Sequence, residues 1–205
     1  SGTAQGTTDF ANITSLDARD GQNVLTGLDL TASWTIAVAG SYTTGTSPNE
    51  RTLNFANIDT VRGGSGADTF TFDEDFRIIT DGRGGIDTIV VTNATVEITP
   101  PISSDGFSGD VGLASFDGIN AVVGASGTNT LERTTGGGDA TWTLNTAGNS
   151  YSEAGQTLAF SGILNLIGGN ANDTFNITGS HAVNITADGG DDVFNFLDNA
   201  EIGRA

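Results

Sequence analysis

The chain has no cysteine and no lysine, one histidine and three prolines in 205 residues. Without cysteine there is neither a disulfide framework nor a thiolate metal site, so stability must come from packing, backbone ladders or a hard metal ion. Without lysine, all seven basic residues are arginine, and against 25 Asp and Glu they leave a formal net charge of −18. That surface makes nucleic acid and anionic membrane poor partners. No apolar run is long enough to span a bilayer, and membrane insertion is not expected. The start, Ser1-Gly2-Thr3-Ala4, resembles neither a signal peptide nor an initiator methionine, so a processed or excised piece of a longer chain is expected.

Catalytic equipment is equally sparse. His181 sits in Ser-His-Ala-Val-Asn with no acid partner identifiable from the sequence, so no triad can be built on it. Polysaccharide lyases and epimerases on β-helices typically need a basic residue and a Tyr, His or Lys to move the proton; here tyrosine occurs only at Tyr42 and Tyr151. The sequence therefore points away from an enzyme. The abundant aspartates fall at turns of a repeat, which explains them without glycoside hydrolysis.

What the chain does have is glycine, 30 residues of it, beside a 36% hydrophobic fraction supplied mainly by Phe, Ile, Leu, Val and Ala. Many short strands joined by tight turns fit this composition better than helices. Self-similarity then organises the whole length. Phe-Ala-Asn-Ile occurs at Phe10 and Phe55, Phe-Asp-Gly-Ile at Phe116 and Phe-Ser-Gly-Ile at Phe160. Six residues after each Phe comes an apolar residue (Leu16, Val61, Val122, Leu166), at thirteen an Asp or Asn (Asn23, Asp68, Asn129, Asp173), and at fifteen a large apolar residue (Leu25, Phe70, Leu131, Phe175).

A longer period of about 105 residues contains these units, since Phe10, Phe55 and Trp34 return as Phe116, Phe160 and Trp142. Residues 1–9 read as a lead-in, 10–115 as the first super-repeat and 116–205 as a second, truncated one. A unit of about 20 residues cannot bury its own apolar face and must stack on its neighbours. Segments such as Thr69-Phe70-Thr71-Phe72 and Thr174-Phe175-Asn176-Ile177 alternate polar with apolar, the period of strands with one face in a core. The expected fold is all-β: one continuous parallel β-solenoid (β-helix) of about ten coils, on the order of 50 Å long. Two tandem immunoglobulin-like sandwiches are the alternative, since each super-repeat is the size of one such domain.

Gly63-Gly64-Ser65-Gly66-Ala67-Asp68-Thr69-Phe70-Thr71 fits G-G-x-G-x-D-x-U-x in full. Here the chain resembles the calcium-binding nonapeptide repeats of RTX proteins, strictly over nine residues. The resemblance implies that Gly63, Gly64 and Gly66 make a turn whose carbonyls, with the Asp68 carboxylate, ligate calcium, while Phe70 plugs the core. Such glycines are expected to visit positive φ. Looser copies follow at Gly82 to Asp87 and Gly168 to Asp173, and the unit ending in Asp192 keeps little of the pattern. Asp68 and Asp87, like Asp173 and Asp192, lie 19 residues apart, and Asp81 and Asp188 are nearby acids. The competing expectation is a metal-free corner whose Asp side chains cap backbone amides.

Repeats of about a hundred residues with these features look like the repetitive regions of large bacterial surface adhesins and secreted filament proteins. That resemblance implies a secreted or cell-surface extender, stabilised by calcium, whose partners are other copies or repeats of the same protein. A self-assembling filament subunit and a carbohydrate-binding module for surface glycans are the alternatives. For the latter, Trp34, Tyr42, Trp142 and Tyr151 would form an aromatic strip, but core or loop packing repeated by duplication is the favoured reading of these four residues.

Overall fold

The computed structural model describes residues 13–73, 77–101, 105–134 and 136–203, with side chains through residue 200. The lead-in and Phe10 lie outside the described residues. The first super-repeat forms β1 (Ser15–Asp17), β2 (Val24–Thr26), β3 (Ala32–Ile36), β4 (Ala39–Thr44), β5 (Arg51–Ala56), β6 (Thr60–Arg62), β7 (Asp68–Phe72), β8 (Ile79–Asp81) and β9 (Thr88–Thr92). A linking group follows: β10 (Thr95–Ile98), β11 (Phe107–Val111) and β12 (Ala114–Ile119). The second super-repeat gives β13 (Ala121–Ser126), β14 (Thr130–Arg133), β15 (Thr141–Leu144), β16 (Asn149–Glu153), β17 (Gln156–Ser161), β18 (Asn165–Ile167), β19 (Thr174–Ala182), β20 (Asn184–Thr186) and β21 (Val193–Gly203). No helix occurs among the described residues.

The chain alternates between two sheets that wrap one core. The larger sheet has 12 strands in the order β1-β5-β4-β3-β7-β9-β13-β17-β16-β15-β19-β21, and the smaller has 9, β2-β6-β8-β12-β11-β10-β14-β18-β20. Parallel pairing carries the coil forward, with Phe70 opposite Ile89, Ile89 opposite Val122 and Phe175 opposite Phe194. This is a β-solenoid, as expected. The sandwich alternative is not realised, because parallel pairs β9–β13 and β10–β14 run straight across the junction of the super-repeats.

The winding differs from a uniform row of parallel coils in one respect. Three segments, β3–β5, β10–β12 and β15–β17, are antiparallel meanders. In each, the first strand is laid ahead and the next two fill the gap behind it, so that β5 pairs with β1 while β3 pairs with β7. Two of the reversals, Gly112-Leu113 and Ala154-Gly155, are tight two-residue turns; at Ala154-Gly155 both residues have positive φ, 50° and 82°, the backbone of a type I′ hairpin. Meanders use chain without advancing a coil, yet 12 strands at about 4.8 Å spacing still extend the larger sheet roughly 50 Å along the axis.

The three described Phe units are used in two orientations. Phe55 and Phe160 close meanders in the larger sheet, whereas Phe116 closes one in the smaller. Accordingly the apolar residue six positions on is in the smaller sheet at Val61 and Leu166 but in the larger at Val122. One sequence unit therefore serves either wall of the same core. Trp34 stacks on Phe70 and Trp142 on Phe175, both at 5.8 Å between ring centroids, and Tyr42 and Tyr151 pack against the respective indoles. All four Trp and Tyr rings are buried, which settles them as duplicated core.

Candidate functional site

Of the residues at position thirteen, Asp68, Asn129 and Asp173 stand at the start of the strand that follows a corner and are buried. The Asp68 amide donates to Asp87 Oδ1 at 2.8 Å, and the Asp87 amide to Asn120 Oδ1 at 2.8 Å. In the second super-repeat Ala140 donates to Asp173 Oδ1 at 3.1 Å and Asp173 to Asp192 Oδ1 at 2.9 Å. Asn129 Oδ1 takes the Ala94 amide at 3.2 Å in the same way. The outer neighbours run the opposite course, with the Asp191 amide donating to Asn172 Oδ1 at 2.7 Å. Adjacent coils are thereby buttoned in both directions. The carboxylate also closes its own corner, since Asp68 Oδ2 accepts the Gly64 amide at 3.0 Å.

This placement explains the glycines. Gly63, Gly64 and Gly66 do not lie in the left-handed region, contrary to expectation. A methyl on Gly63 would strike the Asp68 carboxylate and the Gly82 carbonyl, and one on Gly64 would strike the Leu28 carbonyl. Gly82 and Gly168 sit beneath the Asp87 and Asp173 carboxylates in the same manner. At the fully matching motif glycine is thus required by close approach of two backbones. Positive φ falls instead at Arg83 and Gly85, at Asp188 and Gly190, and, as expected of a corner glycine, at Gly169.

Burial sets the electrostatics. Asp68, Asp87 and Asp173 are buried, and among the described residues Asp87 Oδ2 and Asp173 Oδ2 accept no hydrogen bond. Loss of solvent pushes the Asp87 carboxyl up to about 7; the Asp68 amide opposes this, while the charges of Asp68 and Asp81 add to it. Burial likewise takes Asp173 up to about 6 and raises Asp68. Around Asp68 the Gly64 amide, the Trp34 side chain and the Ala32 amide pull the other way.

Of the sequence-predicted site residues, Asp68 with Asp87 and Asp173 with Asp192 are brought together as neighbours. Asp188 stands exposed on its turn, and Asp81 pairs with Arg62 at 3.3 Å. Calcium takes six to eight oxygens, and among the described residues no three carboxylate or imidazole groups converge to hold an ion. His181 Nε2 lies 2.9 Å from the Thr178 carbonyl oxygen. A cleft of about 460 Å³ where β9 turns into β10 has Asp73 and Glu97 in its lining and no basic group among the described residues.

Two features were missed by sequence reasoning. Asn120 is a rung of the ladder, although it stands outside the glycine corner. Deeper in, Arg133 makes a bidentate pair with Glu153, which also accepts the Tyr151 hydroxyl at 2.6 Å and the Gly138 amide at 2.8 Å. Glutamate two residues after the core tyrosine was the available signal. No protein-family model, curated protein or solved structure matches the chain.

Proposed function

We propose that the chain is a structural repeat region of an extracellular bacterial adhesin, a stiff acidic extender that holds a binding domain away from the cell. One observation carries this reading: the side chains most suited to chemistry, the corner aspartates, are committed to bonding one coil to the next. A row of such fasteners serves stiffness and resistance to proteases rather than turnover. The extracellular setting rests on the resemblance of the repeats, and a formal charge of −18 suits a rod that must stay hydrated. Calcium enters this reading as countercharge on the surface rather than as the pin of each corner. The carbohydrate-module alternative rested on Trp34, Tyr42, Trp142 and Tyr151, whose rings are buried and offer no face to a sugar.

The test is to display the chain on a bacterial surface between an anchor and an epitope tag, as one copy or two in tandem. The tag should stand off by about one solenoid length per copy, without added binding to host or matrix glycans. A standoff unchanged by copy number, or glycan binding by this chain alone, overturns the reading.

A further inference from the structure

The two ends of the solenoid are the separated halves of a junction that the molecule already makes inside itself. By the super-repeat, β21 is the counterpart of β9, and β1 is the counterpart of β13. In the interior β9 and β13 pair in parallel, with Thr88 opposite Ala121, Ile89 opposite Val122 and Val90 opposite Val123. Ile89 and Val122 are both 0% exposed there. At the ends, their counterparts Phe194 and Leu16 are 42% and 37% exposed, and Val193 and Ile13 are barer still. The hydrogen-bonding is also open among the described residues: Ala121 donates to the Asp87 carbonyl at 3.0 Å, whereas the described pairing of Ser15, its counterpart, is on the β5 side.

We infer that the β21 edge of one molecule receives the β1 edge of a second copy in the β9–β13 register, with Val193 opposite Ser15, Phe194 opposite Leu16 and Asn195 opposite Asp17. The contact is heterologous and head-to-tail, so it builds open chains rather than closed dimers. Phe194 already stacks on Phe175 at 4.9 Å, and the incoming Leu16 would cover its free face. The joint is confined largely to the larger sheet. In the interior β10 and β11 stand between β12 and β14, and nothing described at the ends supplies them, so Val24 and the β2 edge remain open. A single-edge contact is smaller than a stable interface, so the association is weak and transient. Both partners are strongly acidic, so salt should strengthen the contact by screening their repulsion. This inference rests on the duplicated fold alone and does not depend on the extender reading.

Sedimentation velocity on the purified chain tests it, over a concentration series at low and high sodium chloride. The expected result is a monomer at low salt and a concentration-dependent ladder of larger species at high salt. Ser15→Pro removes the outward amide while leaving the β5 pairing intact, since an edge strand tolerates proline on its solvent side. Phe194→Asp blocks the other end, with its fold checked by circular dichroism. Each variant alone should lower the association constant at least tenfold. Their equimolar mixture should form dimers and nothing larger, because each retains the end that the other lacks. Monomers throughout the series, ladders indifferent to both substitutions, or a mixture that fails to dimerise would each overturn the inference. If the Phe194 variant loses its fold, Val193→Asp takes its place in the same mixture.

Discussion

Arg133 and Glu153 face each other as a fully buried bidentate pair, Nε to Oε2 at 2.7 Å and Nη2 to Oε1 at 2.9 Å. The second guanidinium amine, Nη1, donates to the Thr134 carbonyl at 2.7 Å, so the charge is satisfied on several sides. By the super-repeat the corresponding residues in the first half are Gly27 and Thr44, so the pair belongs to one half of a duplicated core. Burial works against the Glu153 charge, yet the bonds from Arg133, Tyr151 and Gly138 hold its carboxyl below the usual range.

Removing one partner of such a pair strands the other charge in the core. Arg133→Gly should therefore cost about 3–5 kcal/mol in urea unfolding. Arg133→Gly with Glu153→Thr, which transplants the first half's residues, should cost less than Arg133→Gly alone. A double variant at least as unstable as the single one would show that the pair stabilises beyond mutual neutralisation.

The solenoid and its corners were legible because repetition displays them. Four copies of the Phe unit fixed the strands around Val61, Phe70, Leu166 and Phe175, and the Asp or Asn before each second strand was visible as a constant position. What the copies could not reveal is which way the carboxylate faces, since an ion ligand and an amide cap both call for a glycine-rich corner with an acid. Nor could they reveal the meanders. Strand β4 alternates like any other strand, and its reversal at Ala37-Val38 lacks the Gly or Asn that marks a hairpin. Arg133 and Glu153 lie 20 residues apart on different sheets, a relation that no local pattern encodes.

The buried aspartates predict an unusual pH dependence. The folded-state pKa of Asp87, about 7, lies above its ordinary value of 3.8, and Asp173, at about 6, does as well. For an acid raised on folding, the native state binds the proton more tightly, so stability declines as pH climbs from about 4 toward 7 and levels off above. Glu153 acts oppositely: its folded pKa is below 4.5, so its contribution is lost as pH falls beneath that value. The thermal midpoint should accordingly rise by several degrees from pH 8 to pH 5 and fall again at strongly acidic pH. Asp87→Asn, a neutral counterpart of the kind already present at Asn129, should flatten the alkaline side of the curve. A midpoint that increases from pH 5 to pH 8 would contradict the burial argument.

The corner aspartates can be tested against calcium directly. After chelator treatment, calcium and magnesium titrated to several millimolar should raise the midpoint equally and slightly, by screening the surface charge. Asp68→Ala and Asp173→Ala should each destabilise by about 1–3 kcal/mol with either ion or none, because a buried amide loses its acceptor. A calcium-specific rise abolished by the double substitution would instead assign the corners to the metal, as the nonapeptide resemblance implies.

Close approach and backbone freedom make separable demands on glycine, and neighbouring corners distinguish them. At Gly64 a side-chain methyl would collide with the Leu28 carbonyl, which belongs to a backbone that cannot swing aside. At Gly84, in the next corner, the nearest atom to such a methyl is the Ser65 α-carbon at 3.8 Å, an ordinary contact, and φ is not in the left-handed region. Gly64→Ala should therefore lower stability by about 1–3 kcal/mol through overpacking. Gly84→Ala should be neutral or add about 0.4–1 kcal/mol by restricting the unfolded chain. Chemical denaturation of the two variants side by side checks this. Equal losses at both positions would mean that glycine is needed throughout the corner for flexibility and that the packing of Gly64 on Leu28 is incidental.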